Sequence, residues 1–187
     1  MNGSETVLAR LTGNGNGGNA QTIEAQEYTV GVSLNPGENT IELVCFNNLK
    51  TFANETTECN FASITSTVGQ TNSIIDANFN SSTEGFTFVG DANTPIYSDG
   101  ERSSSALSDN SQALVIALGG VDNRDISNID ARWTQNITST GGSFTLSVDA
   151  NLIQTSEYEA NEFGQIGVMI DGQLRVLDTI TLSLIHI

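Results

Sequence analysis

The feature that most constrains this chain is a two-residue hydrophobic period that keeps returning along it. Phe144, Leu146, Val148, Ala150 and Leu152 alternate with Thr145, Ser147, Asp149 and Asn151, the pattern of a strand with one buried and one wet face. The same period runs through Tyr28, Val30, Val32 and Leu34, through Ile41, Leu43 and Cys45, and through Ile166, Val168 and Ile170. Turn chemistry punctuates it. Asn35-Pro36-Gly37-Glu38 predicts a type II turn that joins residues 28–34 and 40–46 into a hairpin. Gly141-Gly142 predicts a turn before Phe144, and Asp171-Gly172 offers the positive φ angles of a two-residue hairpin that continues into Leu174 and Val176. Shorter apolar segments at 74–79, 86–89, 113–118 and 129–133 complete an all-β fold class.

A polar break at 69–72 is the best place to divide the chain. Before it, VSLNPGENTIELV at 32–44, with Asn2-Gly3 upstream, resembles the extracellular immunoglobulin-like repeats of bacterial surface proteins and glycosidases. After it, residues 84–174 carry EGFTFVGD, YSDG, ALVIALGG, a tryptophan, YEANEFGQ and DG in that order. This series resembles a jelly-roll module found beside such repeats in large bacterial exported proteins. The matching residues include Phe86, Asp91, Tyr97, Gly119, Gly120, Trp133, Tyr158, Glu159 and Glu162, with Ala131-Arg132 as a departure from the pattern. The resemblance implies two β-sandwich domains: a partial immunoglobulin-like sandwich at 1–69 and a truncated jelly roll at 72–181, related in shape to carbohydrate-binding modules. A complete sandwich of the first kind needs about seven strands, more than residues 1–69 supply, so the chain is expected to be a fragment.

The last six residues, LSLIHI at 182–187, match a translation of CTGTCTCTTATACACATC, a transposon end used as a sequencing adapter, and are expected to be scar rather than fold. His186, the only histidine, therefore drops out as a catalytic or metal-binding candidate, and Ser-His-Asp or Cys-His catalysis drops out with it.

A net charge of −16 would repel phosphate backbones and anionic lipid surfaces, so neither nucleic acid nor membrane insertion is expected. No apolar run approaches the roughly 20 residues of a transmembrane helix. Cys45 and Cys59 bracket a polar insert, with no CxxC and no nearby histidine. A disulfide between two strands expected to pair as neighbours is the favoured reading, buried free thiols the other, and the disulfide implies an extracellular or cell-surface location. Gly13, Gly15 and Gly18 formally match GxGxxG, but no helix follows, so a flexible hairpin loop is expected instead of a dinucleotide site.

Glu157, Glu159 and Glu162 fall close together ahead of the 165–170 strand, and three readings stay open for them. They could hold calcium, which favours carboxylate and carbonyl oxygens. Glu157 and Glu162 could be the nucleophile and acid/base of a concanavalin-like retaining glycoside hydrolase, which requires carboxyls about 5–5.5 Å apart. They could also form a solvated acidic edge that discourages strand pairing. Asp76, Asn78 and Asn80 imitate the start of a calcium loop, but Ser81 and Thr87 stand where it needs Gly and Glu. Tyr97, Asp99 and Trp133 are the candidate ligand-binding residues, the two rings suited to stacking on a sugar, although a lone tryptophan in a small sandwich also suits the core. The expected function is a noncatalytic, calcium-stabilised adhesion or carbohydrate-binding module of a secreted or cell-surface protein, with a glycan or extracellular protein as partner. The truncated hydrolase is the alternative.

Overall fold

A computed structural model describes residues 6–12, 20–67, 74–104, 112–155, 157–159 and 161–174. The strands are β1 (Thr6–Thr12), β2 (Gln21–Lys50), β3 (Thr56–Thr67), β4 (Asp76–Ala77), β5 (Thr87–Val89), β6 (Ser98–Ser103), β7 (Ala113–Gly119), β8 (Ile126–Gln154), β9 (Phe163–Ile170) and β10 (Gln173–Leu174), with one 3₁₀ turn, η1, at Pro95–Tyr97. The protein is all-β, and among the described residues no helix is long and apolar enough to cross a membrane. The polar break at 69–72, the glycine loop at 13–19 and the terminal hexapeptide lie outside the described residues.

The architecture rests on β2 and β8, which pair antiparallel from Gln21↔Gln154 to Lys50↔Ile126. This long ribbon doubles back on itself, so that each of its halves seeds one layer of a sandwich. The second half of β2 pairs with β9, which also carries β1 and β10, while the first half of β8 carries β5 on its other edge. In the other layer the second half of β8 pairs with β3, and β3 carries β4 and then β7 and β6. Hydrogen bonding is thus continuous through one ten-stranded antiparallel sheet in the order β1-β9-β2-β8-β3-β7-β6. The main buried apolar cluster takes side chains from both layers, among them Val30, Leu43, Phe61, Ile116, Trp133, Leu146 and Ile166.

This topology corrects the expected division into sandwiches at 1–69 and 72–181. Strands β2 and β3 lie between β9, β8 and β7 in the same sheet, so neither part has a core of its own. It also corrects two of the expected turns. Residues 28–34 and 40–46 belong to one strand and pair with β8 rather than with each other, and β8 runs unbroken through Gly141 and Gly142. Pro36-Gly37 and Gly141-Gly142 instead lie on opposite strands of the ribbon, offset in register where it folds over: Pro36↔Thr140, Gly37↔Ser139 and Leu34↔Gly142. Gly37, Gly141 and Gly142 adopt φ of +106°, +85° and +117°, values that strain any side-chain-bearing residue. Buried Asn39 closes the corner: its amide donates to the carbonyls of Asn35 and Gly37, and its oxygen accepts from Asn35 N–H. From Tyr28 to Leu34 the core residues of β2 are even-numbered and from Asn39 to Asn47 the inward ones are odd-numbered, and β8 makes the reverse switch. Because both strands switch together, the ladder keeps its register.

The Asp171-Gly172 hairpin is present, with φ of 51° and 69° and Ile170 paired to Gln173. Cys45 and Cys59 form a disulfide. Their strands are not neighbours, however: Cys45 pairs with Ala131 and Ile166 in one layer, and Cys59 with Ile116 and Leu152 in the other. The bridge therefore crosses the core.

Candidate functional site

Folding the ribbon brings both of its ends to one end of the sandwich, where the 51–55, 120–125 and 155–162 connections and η1 converge. The hydrogen bonds between them are specific. Ala53 N–H donates to Asn123 Oδ1 at 2.9 Å, Thr56 N–H to Thr155 Oγ1 at 2.8 Å, and the Tyr97 hydroxyl to Asp122 Oδ1 at 2.9 Å.

Beneath these loops lies a buried polar cluster. Lys50, the chain's single lysine, is fully buried at the end of β2. Its ammonium donates to the carbonyls of Asp122 and Arg124, stands 3.8 Å from Asp122 Oδ1 and lies 5.2 Å from the centre of the Tyr97 ring. A buried charge of this kind persists only when paired and hydrogen-bonded, and Lys50 has both kinds of partner. Fully buried Glu55 turns back on its own connection, accepting at Oε2 from Thr51 N–H and from Phe52 N–H at 2.9 Å. On the other flank, Tyr158 reaches inward between β2 and β3. Its hydroxyl accepts from Asn47 Nδ2 at 2.7 Å and shares a hydrogen bond with Thr57 Oγ1 at 2.9 Å. Burial raises the Tyr158 phenol far above its ordinary range, with the charges of Glu55 and Glu162 adding to the effect.

The three glutamates nominated by sequence part company here. Glu162 is fully buried, Glu159 is exposed and Glu157 is half-buried in a positive-φ conformation at 89°. Glu162 Oε2 accepts from Glu159 N–H at 2.6 Å. Burial raises the Glu162 carboxyl above the usual glutamate range, and the charges of Glu55 and Glu159 push the same way, against the hydrogen bond from Glu159 N–H and the influence of the neighbouring Thr51 hydroxyl. Among the described residues, no group of three or more His, Cys, Asp or Glu comes together as a metal centre, and the three glutamates stand in different environments.

The expected sugar-stacking set is also dispersed. Tyr97 and Trp133 are 3% and 5% exposed, so neither ring presents a face to solvent. Trp133 Nε1 donates across the core to the Val115 carbonyl at 3.1 Å, and its ring packs on Phe88. Asp99 alone of the three is exposed, on β6, accepting from Gly100 N–H at 2.8 Å. A separate groove of about 600 Å³ is lined by Gly31, Val32, Ser33, Thr67, Ser143, Phe144 and Thr145 and holds hydroxyls but no titratable group.

Lys50, Glu55 and Asn47 were not legible as site residues. The one available signal was a lone lysine closing an apolar alternation. Their convergence with Tyr158 and Glu162 depends on strands far apart in sequence. No family model matches the chain, and none of the curated proteins compared with it matches.

Proposed function

We propose that the chain is a noncatalytic β-sandwich module of an exported, multidomain protein, of the adhesion or carbohydrate-binding type, acting at the cell surface or outside the cell. The observation that carries this reading is the Cys45–Cys59 disulfide across the core, since such bridges persist in oxidising compartments. The converging loops are the recognition end: Phe52, Ile96 and Val121 lie on three of them and are exposed at 43%, 64% and 49%, and binding surfaces concentrate on such loops. With Tyr97 and Trp133 buried, an extracellular protein suits this surface better than a stacked sugar. A hydrolase using Glu157 and Glu162 would need both carboxylates at a cleft, whereas Glu162 is out of contact with solvent.

The test is to present the full chain to a panel of polysaccharides and extracellular-matrix proteins, and to assay the same polysaccharides for released reducing ends. Retention without turnover, weakened by Phe52→Ser or Ile96→Ser, is expected. Release of reducing ends that disappears in Glu157→Gln and Glu162→Gln would overturn the reading.

A further inference from the structure

Glu55 and Glu162 reach the same buried cluster from different connections and use their oxygens unequally. In each, Oε2 is held by backbone amides: Thr51 and Phe52 N–H for Glu55, Glu159 N–H for Glu162. The remaining oxygens are poorly served. Glu55 Oε1 meets the Thr51 hydroxyl at 3.3 Å, and Glu162 Oε1, in a fully buried residue, has no hydrogen-bond partner. An unpartnered buried carboxylate oxygen is costly. Buried Lys50 is committed elsewhere, to the carbonyls of Asp122 and Arg124. The charge of Glu55 acts on Glu162, and the Thr51 hydroxyl, 3.3 Å from Glu55 Oε1, acts on Glu162 as well.

We propose that Glu55 Oε1, Glu162 Oε1 and the Thr51 hydroxyl form part of a binding site for one hard divalent cation of the calcium class. The donors are all oxygen, with neither histidine nor thiol, and two carboxylates match the charge of such an ion. Calcium accepts irregular coordination and gives up its water more readily than magnesium, which demands near-octahedral geometry and retains several waters. A bound ion would tie the 51–55 connection to the 155–162 connection beneath the loop end. Glu157 and Glu159 take no part.

The test uses the chelator-treated full chain in thermal melts with calcium or magnesium chloride, together with terbium luminescence sensitised by Tyr158. Calcium is expected to raise the Tm by several degrees with saturation, magnesium by less, and terbium emission to be displaced by calcium. Glu162→Gln should abolish both responses, and Glu157→Gln and Glu159→Gln should leave them intact. Should Glu55→Gln fail to fold, Glu162→Gln, which keeps the shape and the acceptor for Glu159 N–H, still decides the matter. An unresponsive wild type, or a calcium response that survives Glu162→Gln, would overturn the site. Neither outcome bears on the recognition function proposed above, which is read by partner binding.

Discussion

The ring of Pro36 lies directly against the backbone of Gly141, so that a Cβ on Gly141 would stand 2.8 Å from Pro36 Cγ and 2.9 Å from Cδ. This contact sits where the β2–β8 ribbon folds over. Gly141→Ala combines a positive-φ cost with a steric clash and is expected to destabilise by roughly 2–4 kcal/mol. Gly142 has open space around its Cβ position, so Gly142→Ala should cost only the backbone strain, about 1–2 kcal/mol. Urea unfolding of the two variants measures the difference, and equal costs would remove the corner contact from the account.

The disulfide joins residues separated by 14 positions and links the two layers. Reduction, or Cys45→Ala with Cys59→Ala, is expected to lower stability by about 3 kcal/mol. The check is the urea midpoint with and without reductant, alongside a thiol titration of the unfolded, unreduced chain that should find no free thiol.

Trp133 is the only tryptophan and is buried, with its N–H bonded to Val115 O. Its emission should be blue-shifted, resist acrylamide and stay unchanged on adding oligosaccharides. Trp133→Phe leaves the Val115 carbonyl without this donor and should cost about 1–3 kcal/mol by chemical denaturation. Quenching by sugars would restore the stacking role that its burial argues against.

Asp91 predicts a pH dependence. Burial alone would raise its carboxyl, but the backbone amides of Asp130, Thr94 and Asn93 outweigh it and hold the group below the ordinary 3.8. The stabilisation is therefore fully present above that ordinary value and is lost as the pH falls through the lower value of the folded state. Asp91→Asn should cost about 1–3 kcal/mol at neutral pH and flatten the acid limb of the stability curve, as read from urea midpoints at pH 7 and pH 3.

The residues themselves indicate why part of the fold was legible. Phe144 to Ala150 and Ile166 to Ile170 bury every second side chain, whereas Asn151, expected on the wet face, is buried; the alternation states the rest outright because strand geometry is local. The Asp171-Gly172 turn is equally local. Pro36-Gly37 and Gly141-Gly142 are the instructive failures: positive φ and a fixed proline serve a hairpin turn or a corner in a long strand equally well, and only the partner strand decides between them. Glu162 could be named from its neighbours, but Glu55 could not, because nothing near it in the chain marks it as the other half of a pair.

By itself, the sequence determined the all-β class, the buried face of each principal strand, the last hairpin and the two cysteines available for a bridge, since each follows from interactions over a few residues or from composition. Tertiary structure alone decided that β2 pairs with β8 along almost its whole length, that the disulfide spans two layers, and that Lys50, Glu55, Tyr158 and Glu162 share one buried cluster. A period of two says which side chains leave water, but not what they meet there. That choice is made by long-range strand pairing, where packing and the need to satisfy every buried polar group are settled together.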